Sequence, residues 1–100
     1  MVNGQQSAAG IPRPESLAEA RAWLEENRAH PAYAQVAERA LAVSHSVQDA
    51  LEFLDVTAAA APDLSIRAHL WRRAGTIAAR GNRFEAAAGY LEAALRADPS

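Results

Sequence analysis

Few residues in this chain could do chemistry, and their spacing limits what that chemistry can be. Its three histidines are His30, His45 and His69. No two of them have the three- or four-residue helical separation that brings two imidazoles onto one metal ion. His30 and His45 fall at the ends of expected helices, so all three read as surface or capping side chains, and no metal site is predicted. Glu25-Glu26 is the one directly adjacent carboxylate pair. Neighbours on a helix point about 100° apart, which makes them poor partners for shared acid–base work. Cysteine is absent, which excludes disulfides, thiolate catalysis and Cys-ligated zinc. No glycine-rich phosphate loop, nucleophile elbow or Ser/His/Asp cluster occurs. The chain reads as non-catalytic, with no cofactor.

What remains is a constellation suited to binding. His69, Arg72, Arg73, Thr76 and Arg80 fall at i, i+3, i+4, i+7 and i+11, one stripe of a helix. No acid occurs between Arg67 and Arg83, and every cation in the chain is Arg. The formal net charge is −2, but residues 1–66 hold four Arg against nine acids and residues 67–100 hold six Arg against three. A guanidinium fork matches a carboxylate bidentately, so the stripe predicts a partner-binding face for an acidic or carboxylate-bearing peptide. The plain alternative is a solvated charged face paired with Glu38 or another acid of the preceding helix. Contact with nucleic-acid phosphates is a further reading; the acidic balance and the lack of interleaved aromatics count against it.

The elements that would hold this stripe are helices. Half of the residues are hydrophobic and about a quarter of the chain is Ala, the strongest helix former, so the core must come from close helix packing. Residues 1–14 carry one large apolar residue after the opening Met1-Val2, Ile11, and predict a mobile tail; residues 15–100 predict one helical domain. Ser16 with Glu19 has capping-box spacing and opens a helix from about Leu17 to Arg28, ended by His30-Pro31. A second helix spans about Ala32 to Ser44, with Tyr33, Val36, Ala37, Ala40 and Leu41 on one face. Ser46 with Asp49 starts a third, Val47 to about Ala60. Pro62-Asp63 ends it, and Asp63 or Ser65 caps a fourth. This fourth helix buries Leu70, Trp71, Ala74, Ile77 and Ala78 opposite the Arg stripe. Gly81-Asn82 supplies a turn tolerant of left-handed backbone. A fifth helix from Phe84 to about Leu95 is stopped by Asp98-Pro99.

Three of these helices repeat one another. Leu17, Ala20, Trp23, Leu24, Glu25 in the first match Val47, Ala50, Phe53, Leu54, Asp55 in the third and Phe84, Ala87, Tyr90, Leu91, Glu92 in the fifth. The third and fifth keep a constant offset of 37, which extends from Pro62 to Pro99. A recurring multi-point pattern at fixed period is the mark of a helical repeat.

In the last hairpin, Trp71, Gly75, Ala87, Leu91, Ala94 and Pro99 stand at the spacing of a tetratricopeptide repeat, and the chain resembles that family over about residues 16–99. The resemblance implies an all-α fold: a right-handed antiparallel stack of helical hairpins, about five helices forming two and a half repeats. It implies a protein-interaction module whose groove, lined by the first helix of each hairpin, holds a peptide or partner helix without chemistry. The stripe resembles the carboxylate clamp of some co-chaperone repeats in part. That clamp also uses Asn and Lys, and Thr76 stands where an Asn would be diagnostic. The alternative function is an oligomerisation or regulatory segment of a longer protein, such as a transcription regulator, a secretion chaperone or an enzyme.

No secretory signal opens the chain and no apolar run approaches membrane-spanning length, so a soluble cytoplasmic protein with no membrane partner is expected. The repeat register expects Trp71, Leu54 and Leu91 to be buried between hairpins and Gly75 to lie against the neighbouring helix. Stacked repeats expose apolar surface at their ends, which predicts self-association as a homodimer or a missing continuation of the chain.

Overall fold

The computed structural model describes residues 11–99. Among them lie five helices and no strand: α1 Leu17–Glu26, α2 Tyr33–Leu41, α3 Val47–Ala59, α4 Leu64–Arg80 and α5 Phe84–Ala97. Their starts follow from side-chain caps that satisfy otherwise orphaned amides. Ser16 Oγ accepts from the Glu19 N–H at 3.0 Å, Ser46 Oγ from the Asp49 N–H at 3.0 Å, and Asp63 Oδ1 from the Ile66 N–H at 2.8 Å. Glu19 reaches back as the capping box requires, but to the amide of Glu15, at 2.6 Å, one residue before the cap.

Two helices are shorter than their periodicity predicts. α1 stops at Glu26 because the Asn27 side-chain amide donates to the Trp23 carbonyl at 2.8 Å, taking an acceptor that another helical turn would have used. α2 starts one residue late. The Ala32 N–H is held by His30 Nδ1 at 2.9 Å, and Ala32 itself has φ −92° and ψ 12°, outside the helix. α2 also ends early, at Leu41, where Val43 and Ser44 bond three residues back rather than four. The Ser44 hydroxyl then donates to the Leu41 carbonyl at 2.8 Å. Between α4 and α5, Asn82 adopts φ 62°, the left-handed turn its sequence allows.

The packing is uneven along the molecule, whose principal extents are 48 × 29 × 17 Å. α4 and α5 form the closest pair and α3 and α4 the next, whereas α1 lies against both α2 and α3, and α2 touches α3 only lightly. Tyr33, Val36, Phe53, Leu54 and Leu70 are the largest fully buried side chains. Ala20, Ala37, Ala40, Ala58, Ala74 and Ala78 fill the space between them at zero exposure. These small side chains let the helix axes approach, so the core is made by proximity more than by bulk. Buried Tyr33 meets its polar need by donating to the Thr57 carbonyl on α3 at 3.1 Å, a tie that offsets burying a hydroxyl.

Longer side chains link the remaining elements. The Arg28 guanidinium donates to the Ala60 carbonyl through Nη2 at 2.8 Å and Nε at 3.2 Å, placing a cation at the C-terminus of α3. Residues 1–10 of the expected tail lie outside the described residues. Ile11–Pro14, expected to belong to it, instead lie on the domain. Pro14 is buried, Ile11 packs on the core, and Arg39 Nη1 donates to the Ile11 and Pro12 carbonyls at 3.1 and 3.4 Å. Among the described residues, no helix is long and apolar enough to cross a membrane.

Candidate functional site

α4 carries the predicted binding residues, and its 17-residue length follows from the Asp63 cap and the absence of proline before Gly81. The helix is anchored on one side by Leu70, Ala74 and Ala78, all fully buried, which forces the opposite side outward. His69, Arg72, Thr76 and Arg80 are exposed there, and Arg73 is half-buried at the edge. Trp71 and Ile77 are only partly buried; Trp71 instead stacks on Tyr90 of α5, with ring centroids 5.7 Å apart and planes at 18°.

The structure divides the five candidates into two groups. Glu38 of α2 takes Arg73 and His69. Arg73 Nε lies 3.0 Å from both carboxylate oxygens, and His69 Nε2 lies 3.3 Å from Oε2. The three side chains are about a third to a half exposed (34%, 47% and 32% for Arg73, His69 and Glu38). At that exposure the pairing is worth on the order of 0–1 kcal/mol. Its main consequence is to spend the charge of Arg73 within the molecule and to fix α2 beside α4. Arg72 and Arg80 form the second group. Neither has an acid within ion-pair distance among the described residues. They stand eight residues apart, about 12 Å along the axis. Thr76 lies between them, its hydroxyl donating to the Arg72 carbonyl at 3.1 Å.

Two tyrosines have shifted acidity. Burial raises Tyr33 above its usual 10.0. Burial also raises Tyr90, helped by the Asp55 carboxylate, whose Oδ2 accepts from the Tyr90 hydroxyl at 3.4 Å. Both therefore stay protonated near neutrality and act as donors. Among the described residues, no group of three or more His, Asp or Glu is arranged to hold a metal ion.

Comparison with family models, with curated proteins and with solved structures finds no match. The reading of this surface therefore rests on its own geometry.

Of the three residues expected to be buried between hairpins, Leu54 is buried, Trp71 is only partly so, and the expectation for Leu91 is overturned. Leu91, expected between hairpins, is 45% exposed. It touches the place where a Gly75 Cβ would stand, 2.9 Å from its Cδ2, but its outer side faces solvent. Phe84 and Leu95 are exposed beside it, at 66% and 58%. The sequence holds the signal for this second surface. Phe84, Ala88, Leu91 and Leu95 form an apolar stripe of their own, separate from the Ala87 and Ala94 that α5 buries. A shallow groove of about 170 Å³ between α1 and α3, lined by Arg21, Glu25, Arg28 and Val56 among others, is a further surface feature that the periodicity did not indicate.

Proposed function

We propose that this chain is a tetratricopeptide-type helical repeat module that binds another protein without catalysis, working in the cytoplasm. Its partner segment is an acidic or carboxylate-terminated peptide received along the exposed edge of α4. The observation that carries this reading is the pair of unneutralised guanidinium groups, Arg72 and Arg80, on a helix held rigid by its buried face. An exposed fork with no internal acid keeps its hydration until a carboxylate replaces it. Two forks about 12 Å apart select an extended anionic segment over a single ion. The close α4–α5 pairing and the approach of Gly75 to Leu91 support the repeat reading. So does the common burial of Ala20, Ala50 and Ala87 at one register.

The ion triad changes which residues should be tested. Arg73 and His69 are engaged with Glu38, so replacing them would perturb the contact between α2 and α4 as well as any binding. The informative variant is Arg72→Glu with Arg80→Glu, since both side chains are exposed and unpaired. Retention of acidic, free-carboxylate peptides from an array should be lost in this variant with the chain still folded, since reversing Arg80 in the last turn of α4 costs only about 1 kcal/mol against the helix dipole. Equal retention by wild type and variant would remove α4 as the site.

The alternative, an oligomerisation or regulatory segment of a longer protein, is favoured by a different observation, the apolar stripe exposed on α5.

A further inference from the structure

The α5 stripe has a counterpart within the same chain. Moving back by the 37-residue offset, Phe84, Ala88, Leu91 and Leu95 correspond to Val47, Leu51, Leu54 and Ala58 of α3. There the stripe is covered. Leu51 is 6% exposed, and Leu54 and Ala58 are at zero. α4 is the helix packed most closely on α3. Its C-terminal Gly81 lies over Val47, close enough that a Cβ would stand 3.2 Å from either methyl, so α4 runs antiparallel to α3. Among the described residues, no helix lies over the same register on α5.

The polar flank repeats as well. On α3, Gln48 Oε1 accepts from Arg83 Nη1 at 2.9 Å, and Asp55 Oδ2 accepts from the Tyr90 hydroxyl at 3.4 Å. Both donors belong to the segment that continues from the covering helix. The matching positions on α5 are Glu85 and Glu92, both exposed and without an ion pair among the described residues. The acceptors are present here as full carboxylates, and the donors are missing.

We infer that the outer face of α5 is a docking site for a basic amphipathic helix of a partner protein. Such a helix lies antiparallel to α5, as α4 lies on α3. It presents an apolar face of mixed small and large side chains to Phe84, Leu91 and Leu95, and Arg or Lys on its edge and in the turn that follows it face Glu85 and Glu92, as Arg83 after α4 faces Gln48. The apolar stripe supplies affinity by losing water contact, and the two carboxylates set partner choice and direction. This surface is separate from the Arg72–Arg80 edge and of opposite charge, so either can be lost without the other.

The covering helix of α3 gives the probe. A labelled peptide of residues 62–83, which carries the apolar face of α4 and its Arg side chains, is titrated into the full chain by fluorescence anisotropy. Saturable binding is expected, weakened at least about tenfold by Phe84→Glu with Leu95→Glu, a change of ~1.4 kcal/mol or more. Those substitutions add negative charge, so purely electrostatic capture of the basic peptide would grow stronger; unchanged or tighter binding overturns the inference. Glu85→Lys with Glu92→Lys, at exposed positions that do not touch the core, should also weaken binding at least about tenfold and guards against a folding defect in the first variant. Absence of saturable binding to the wild-type chain overturns it too. Sedimentation of the chain alone separates out the remaining occupant. A dimer that Leu95→Glu dissociates assigns the stripe to a second copy and removes the partner helix.

Discussion

At Gly75 a missing side chain decides how closely α4 and α5 meet. An added Cβ would stand 2.9 and 3.0 Å from Leu91 Cδ2 and Cγ, with the Ala87 carbonyl at 3.5 Å. Leu91 is half-exposed and can turn outward, so Gly75→Ala should be near neutral, the gain in helix propensity of about 1 kcal/mol offsetting the displacement. Gly75→Leu cannot be relieved that way and should cost about 1–3 kcal/mol; a thermal melt at or above the wild-type midpoint would contradict the close approach. Tyr33 gives a pH-dependent counterpart. Its folded-state acidity is weakened by burial, so the native chain keeps the phenolic proton longer than the unfolded chain. The sign follows: stability is undiminished below about pH 10 and falls as pH rises beyond it. Tyr33→Phe should lower stability near neutrality by about 0.5–1.5 kcal/mol through the lost bond to Thr57. It should also flatten the alkaline decline, and an unchanged alkaline limb would place the titration elsewhere.

The five helices show what periodicity can and cannot reveal. Starts were legible because Ser16, Ser46 and Asp63 act locally, each on the amide three residues ahead. Ends were less so, since Asn27 and Ser44 close α1 and α2 through side-chain bonds that a hydrophobic pattern does not encode. The repeat register correctly placed Leu54 inside and Gly75 against α5, while Trp71 is only partly buried. It misplaced Leu91 because the burial of a register position depends on whether a neighbouring helix covers it, and among the described residues no helix covers that side of α5. The Glu38 pairing with Arg73 and His69 was open to view only as one of several acids that could reach α4, because sequence does not report the lateral distance between α2 and α4. The contrast between matched leucines is measurable. Leu54→Ala, at zero exposure, should cost about 2–5 kcal/mol. Leu91→Ala, at the same register, should cost about 1 kcal/mol, since it gives up only part of a buried side chain. Equal losses in urea unfolding would mean that the two surfaces are packed alike. Ser46→Ala should cost about 1 kcal/mol through the lost cap of α3.

Among the described residues, two unlike surfaces stand on neighbouring helices. The α4 edge offers Arg72 and Arg80, and α5 offers Phe84, Leu91 and Leu95 beside Glu85 and Glu92. A helical frame that spends Arg73 on Glu38 while leaving Arg72 and Arg80 outward keeps two guanidinium groups open for the acidic partner proposed above. The most direct measurement is a titration of the isotopically labelled chain with an acidic peptide bearing a free C-terminal carboxylate, followed by amide and Arg side-chain NMR shifts. Saturable shifts concentrated on Arg72, Thr76 and Arg80 are expected, weakened by salt and absent in the Arg72→Glu, Arg80→Glu variant. Shifts that leave these three residues unmoved, or that persist in the charge-reversed variant, would contradict the proposal.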